Sequence, residues 1–424
     1  MKQYNEYKDS GVRWIGMVPE HWEIKKIRSL FKLSNQKTKD PNCTLLSLSQ
    51  YTGVRLKSEC ANVGMFEAET TIGYNIVQKG QFVMNIMLAW NGSYSVSNYN
   101  GVISPAYCVF DFIRNCDKKY FDYLLRLKAY SGAFKTLSKG LIDSRLRLYP
   151  EYFRTFPIVF PPVEEQNKIV AYLDEKISKI DKYISTAEKK IAALDELKQV
   201  TIADAVTHGI NPNAPMINSG IPWIGMVPEH WEVKTLRAYI RIYSEKYHAE
   251  KQLLSVTREQ GVILRDVDSK EENHNFIPDD LSGYKLVRRG DFAINKMKSW
   301  QGSYGVSNYE GIVSPAYYVC KLEFENKDFF SKSIRCKAYV PFFNQYSKGI
   351  RVDQWDLSPI ALKNIPFFEP PISEQNEIVT YIDRKVAQID KMKAAELTQI
   401  DKLKEYKQRL ISDVVTGKVK VTNE

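Results

Sequence analysis

Two ten-residue segments carry the side chains in this chain best suited to hydrogen-bonded recognition: NIMLAWNGSY from Asn85 to Tyr94 and NKMKSWQGSY from Asn295 to Tyr304. Asn85 and Asn295, Trp90 and Trp300, Ser93 and Ser303, and Tyr94 and Tyr304 are common to both. Between them the segments diverge, with Asn91 against Gln301, Ile86 against Lys296 and Leu88 against Lys298. A primary amide presents a donor and an acceptor in one plane, which matches the edge of adenine, and a lysine ammonium reaches the acceptors of guanine. Residues that agree would build a frame or touch a phosphate backbone, and those that differ would read different bases. The same pattern also suits core aromatics beneath a solvated turn.

Other basic residues follow the same logic. The loops that begin at Arg55, with Lys57, and at Arg265 diverge, as do the segments after a shared Ser-Lys-Gly, with Arg145 and Arg147 in one and Arg351 in the other. Lys139 and Lys348, inside the shared triplets, suit phosphate contact.

Bond-making chemistry has no such support. There is no Gly-x-Gly-x-x-Gly after a strand-like run and no Gly-x-x-x-x-Gly-Lys-Ser/Thr, so the usual phosphate cradles are missing. Ser-Pro-Ala-Tyr (104–107 and 314–317) lacks the Asn or Asp with which adenine methyltransferases hold the exocyclic amine, and reads as a turn. Pro278-Asp279 is followed by Glu325-x-Lys327 too far downstream to form a nuclease cluster, with no counterpart in the first half. His21 and His230 sit in Trp-flanked turns rather than beside a nucleophile. The six cysteines show no CxxC spacing, against both structural zinc and a disulfide framework. No catalytic, metal or cofactor site is expected in this chain.

The elements that hold these residues are themselves doubled. WIGMVPEHWE occurs at Trp14–Glu23 and again at Trp223–Glu232, and further blocks recur at spacings of 208 to 210 up to PPVEEQNKIVAYLDEK (161–176) against PPISEQNEIVTYIDRK (370–385). Such self-similarity means two copies of one fold. Residues 1–160 and 211–369 read as globular α+β domains, with short apolar runs cut by Gly, Asn, Ser and Pro, and some helix, as in YFDYLLRLKAYSGAFKTL from Tyr120. Residues 161–210 and 370–424 read as long helices. From Val163 to His208 there is no Gly or Pro, and Leu173, Ile177, Ile180, Ile184, Ala187, Ile191 and Leu194 alternate steps of four and three, a heptad seam. The second copy repeats it with Ile382, Val386, Ile389, Ile400, Leu403 and Leu410, but Lys393 and Glu396 replace Ile184 and Ala187, leaving the packing at its middle open. Neither stripe can be buried alone. An antiparallel coiled coil of the two helices is the economical arrangement; packing on each helix's own domain, or on a partner protein, remains the alternative.

Charge separates the parts. The chain carries net +10; residues 161–210 carry −2 and 370–424 carry +1, so the globular domains hold +11. That excess favours a polyanion such as double-stranded DNA. At 44% hydrophobic and 12% aromatic the chain can bury more than one core, while its start, MKQYNEYKDS, has no signal-like apolar region and no run is long enough to span a bilayer. A cytoplasmic protein with no membrane contact is expected.

Two variable domains, each opened by Trp-Ile-Gly-Met-Val-Pro-Glu-His-Trp and each closed by Pro-Pro-x-x-Glu-Gln before a long helix, resemble the specificity subunit of type I restriction-modification systems over essentially the whole chain. The resemblance implies target-recognition domains that each read half of a bipartite DNA sequence, and a coiled coil that sets the spacer. It implies two modification subunits, which bind S-adenosylmethionine and methylate adenine, and restriction subunits that use ATP and Mg. It also implies a cyclic layout, with Ser10 to Trp22 packed near Val414 to Val421. A stand-alone methyltransferase or nuclease is opposed by the missing cofactor loop, and a protein-only scaffold by the basic domains.

Overall fold

A computed structural model describes residues 2–60, 70–140, 146–266, 277–349 and 355–421. The chain divides into two compact units, residues 1–186 with 398–424, and residues 187–397. Each contains one globular lobe and a stretch of both long helices.

The first lobe is built on a four-stranded antiparallel sheet in the order Phe31–Ser34, Tyr107–Phe112, Phe82–Asn85, Tyr94–Val96. Phe82 to Asn85 are buried along their whole length because the strand lies inside the sheet with both faces covered. On one side Phe31, Phe82, Phe110 and Phe153 cluster, with Phe82 and Phe153 stacked at 5.7 Å. On the other, Leu46, Leu48, Val54, Val83 and Val109 form a second small core. The hairpin Leu46–Ser49/Gly53–Leu56 supplies part of it.

The second lobe repeats this design: Ile240–Tyr243, Tyr317–Leu322, Phe292–Asn295 and Tyr304–Val306 form its sheet, and Leu254–Thr257/Gly261–Leu264 its hairpin. The stretch from Tyr120, read as helix, forms two helices, Lys118–Leu125 and Lys128–Leu137. Leu127 is extended between them (φ −64°, ψ 142°), which lets both Leu124 and Phe134 face the core.

The long helices run Val163–His208 and Ile372–Val415. Within each unit they lie antiparallel. In the first, Lys407 pairs with Asp181 at 2.6 Å, and Leu410, Val414 and Val415 share a core with Ile169, Leu173 and Ile180. In the second, Glu396 pairs with Lys190 at 2.5 Å, Lys393 with Asp195 at 2.5 Å and Asp390 with Lys198 at 2.9 Å, while Ile378 and Ile382 pack with Ala205 and Val206. Of the expected seam, Leu173, Ile180, Ala187, Leu194, Ile382, Ile389, Ile400 and Leu410 are buried, and Ile177, Ile184, Ile191, Val386 and Leu403 are half-buried. The polar middle of the second stripe is resolved by Lys393 and Glu396, which find opposite charges on the other helix.

Both repeated motifs are halves of one clasp. Gln166 and Gln375 are buried, and each donates its amide to the carbonyl of the first proline of its pair, at 2.7 and 2.8 Å. The neighbouring carboxylates reach back to the decapeptides: Glu165 pairs with His21 and accepts from Trp22 Nε1, both at 2.9 Å, and Glu374 pairs with His230 at 2.7 Å. The helix ends meet the same turns. Gly417 has φ +77°, and a Cβ there would lie 2.5 Å from Pro19; Gly209 (φ +76°) lies against Trp231. Tyr7 donates to the Gly417 carbonyl and Tyr120 to that of Val415, at 3.1 and 2.8 Å. The first decapeptide thus packs on the end of the second helix, as the cyclic layout requires.

Candidate nucleic-acid interface

The segment after the buried sheet strand makes a tight loop with the same frame in both lobes. Asn85 and Asn295 are buried, and each accepts the amide of the residue two further on, Met87 at 2.9 Å and Met297 at 3.2 Å. Gly92 and Gly302 close the loop at φ +89° and +99°, a conformation that favours glycine. Ser93, Tyr94, Ser303 and Tyr304 lie beneath it, at 4% exposure or less. Tyr94 donates to the Leu125 carbonyl at 2.8 Å, and Tyr304 stacks on Phe343 at 3.8 Å. Side chains so enclosed offer nothing to a base edge, so these six residues are the frame.

Of the positions that differ, Ala89 and its counterpart Ser299 are buried and Ile86 packs against the core, while the others reach the surface. Asn91 and Lys298 are exposed, Gln301 and Lys296 half-exposed, and Leu88 and Met87 stand exposed beside Asn91. Trp90 donates Nε1 to the Met87 carbonyl at 3.0 Å and carries Lys135 over its ring at 5.2 Å. Trp300 instead packs against Trp355 at 5.3 Å.

The structure brings three of the sequence-separated groups together. Leu148 donates to the Ile86 carbonyl at 2.9 Å, which ties the residues after the first Ser-Lys-Gly to the loop; Leu357 does the same to Lys296 at 3.2 Å. Lys139 pairs with Arg147 across a short antiparallel bridge and sits over Tyr152 at 5.2 Å. Lys348 lies opposite Asp356, whose carboxylate also takes Lys296 at 3.2 Å. Lys139 and Lys348 are exposed. Arg145 and Arg351 lie outside the described residues. Arg55, Lys57 and Arg265 are placed elsewhere, on the outgoing strand of each hairpin or just beyond it.

Sequence reasoning overlooked the hairpin tips. Arg258 and Glu259, at the tip in the second lobe, line the same cleft as Trp300, Gln301, Gly302 and Lys337, a space of about 1460 Å³. The signal was present: within hairpins of matching strands, SQYTGV stands against TREQGV.

Comparison with known proteins gives a consistent picture. The model of the type I restriction modification DNA specificity domain matches residues 19–194. The MjaVIII type I restriction enzyme specificity subunit of Methanocaldococcus jannaschii is 24% identical over 96% of this chain and 95% of its own. A chain from a study of complex assembly and conformational transition of the type I R-M system superposes with TM-score 0.63 at 13% identity, covering 94% of this chain and 98% of that one. The HsdS subunit from Thermoanaerobacter tengcongensis superposes with TM-score 0.52 at 14% identity, covering 95% and 98%. These two superpositions speak for the fold.

Proposed function

Because the chain belongs to the family of type I restriction-modification specificity subunits, we propose that each lobe reads one half of a bipartite DNA sequence and that the paired helices fix the unread spacer between the halves. The chain is the non-catalytic recognition member of its complex. The observation that carries the reading is the pairing of a shared buried frame, Asn85, Ser93 and Tyr94 against Asn295, Ser303 and Tyr304, with surface residues that differ between lobes. A duplicated enzyme would repeat its reactive groups; a duplicated reader repeats its scaffold and varies what faces the ligand.

The chemistry of readout follows from the residue types. Asn91 and Gln301 suit adenine, Lys296 and Lys298 suit guanine, and Lys139, Lys348 and Arg147 suit phosphates. The +11 outside the helices supplies the sequence-independent attraction on which base discrimination is superimposed. The complex would be cytoplasmic, with two modification subunits docked on the helices and restriction subunits added to them. S-adenosylmethionine, ATP and Mg would be bound by those partners, none by this chain.

Selection from a randomised duplex library, with the full chain alone and with its modification subunits, tests this directly. A bipartite word with a fixed gap is expected, with affinity that falls steeply with salt. Lys296→Leu with Lys298→Leu should change preference in one half only, by about fivefold or more at each base these lysines read. If both halves kept their preference, the loop would not be the reader; if no word emerged, the function would be refuted.

A further inference from the structure

We propose that the two hairpin tips, Gln50-Tyr51-Thr52 in the first lobe and Arg258-Glu259-Gln260 in the second, are base-reading elements, each aimed by an arginine beneath it, Arg126 or Arg335. The proposal rests on the DNA-reading function above and adds a second reading element to each lobe.

The two arginines occupy the same position in the repeat and hold the tips in the same way. Arg126 Nη2 donates to the carbonyls of Gln50 and Tyr51 at 3.0 and 2.9 Å. Arg335 Nη2 donates to those of Arg258 and Glu259 at 3.1 and 2.9 Å, and its Nη1 to Tyr304 at 2.5 Å. A guanidinium is a planar fork of fixed donors, so two carbonyls held by one nitrogen fix the path of the turn between them. Burial lowers the affinity of Arg335 for its proton, the expected cost of placing a cation under a turn rather than in water.

A shared glycine makes room for the clamp. Gly53 and Gly261 have φ +72° and +75°, and a Cβ at either would lie 2.9 to 3.0 Å from the arginine's Nη1. The strands on either side are paired in the same register in both lobes. Clamp, glycine and strands are therefore constant, and the three residues they present are not.

These residues are at the surface. Tyr51 is 82% exposed and Thr52 exposed beside a half-buried Gln50, and Arg258, Glu259 and Gln260 are all exposed. A clamp that costs burial of a cation, in order to present side chains at the surface of the lobe, is explained by a ligand beyond it. In the second lobe the tip lies against the loop already implicated: a Cβ on Gly302 would be 3.9 Å from Arg258 Cγ, and the tip and Gln301 share one cleft. The tip residue types also match base edges. Arginine suits guanine, glutamate accepts from the cytosine amine, and glutamine pairs with adenine. In the first lobe Gln50 and Thr52 offer a different set.

The test transplants one tip into the other lobe of the full chain: Arg258→Gln, Glu259→Tyr and Gln260→Thr, with Gly261 and Arg335 untouched. Library selection with the modification subunits present is expected to shift at least one base of the second half-site by about fivefold or more, leaving the first half-site and the gap unchanged. Arg335→Lys, which keeps the charge but loses the fork, should weaken discrimination at the same base by a similar factor without altering the salt dependence of non-specific binding. If the parent chain selects no word, the DNA-reading function fails. If the parent selects one and the transplant keeps every preference, the tip assignment fails while the function stands. Unchanged preference with altered affinity for the modification subunits also overturns it, because the tip would then be a protein-binding surface. The transplanted side chains are on the surface, so the outcome does not depend on whether Arg335→Lys folds.

Discussion

The first lobe closes its clasp more completely than the second. Glu165 accepts from Tyr4 and Trp22 and pairs with His21, and Gln166 is satisfied at both ends, its Oε1 taking the Asp117 amide at 2.9 Å. In the second lobe Glu374 pairs with His230, but Trp231 Nε1 and Gln375 Oε1 are buried without a hydrogen-bond partner among the described residues. Asn213 stands at the repeat position of Tyr4. The repeated letters thus secure only the interactions both lobes share, and residues outside the repeat complete the rest. Trp22→Phe and Trp231→Phe would break this comparison most sharply. The first removes a hydrogen bond to a carboxylate, for a loss of about 2 kcal/mol beyond that of the smaller ring; the second removes an unpaired donor and loses only the ring. Hydrogen exchange in residues 15–22 against 224–231 reads each lobe separately, and equal losses would show that Trp22 is not held by Glu165.

The helices were the most legible part of the sequence. An uninterrupted stretch without Gly or Pro, a four-three apolar rhythm and a closing glycine are local signals, and Val163–His208 follows them to the residue. The strands were legible as a class but not as an order, since pairing Phe31–Ser34 with Tyr107–Phe112 is decided by burial from both sides. For the loop after the buried strand, the sequence leaves the shared Asn85 and Tyr94 open between a frame and a backbone contact, and the fold decides for the frame by enclosing both. The clamp was invisible because Arg126 lies 75 and 76 positions from the carbonyls it holds.

The helix seam sharpens the comparison further. Asp181–Lys407 in the first unit and Lys198–Asp390 in the second occupy equivalent repeat positions, so that ion pair was copied with the fold. Lys190–Glu396 and Asp195–Lys393 have no such counterpart, because the repeat places Ala187 and Ile184 opposite Glu396 and Lys393. The unique pairs favour the first helix against the second over either helix against itself. Asp195→Lys should destabilise the second unit by about 1 kcal/mol through repulsion with Lys393, and Lys393→Asp added to it should restore most of the loss. Chemical denaturation at low and high salt measures both. A reversal without effect, or a second reversal without rescue, would mean that the apolar positions alone align the helices.

The smallest expected difference lies under the clamps. Asp122 stands beside Arg126, accepting from Ser95 and from the Val96 amide, both at 2.8 Å, whereas the repeat places Ser331 and Gly305 beside Arg335. Burial raises the Asp122 carboxyl above its ordinary range, opposed by Arg126, the Val96 amide, Ser95 and Lys119. Folding therefore favours its protonated form. That contribution is complete below the ordinary aspartate range and is lost as the pH rises through the raised value. The first lobe should lose a small part of its stability over that interval, and Asp122→Asn should abolish the dependence. The second lobe has Ser331 at this position and should show no matching step. Unfolding followed against pH in the parent and the variant checks the sign; a first lobe that gained stability over the same interval would show that Arg126, rather than burial, governs Asp122.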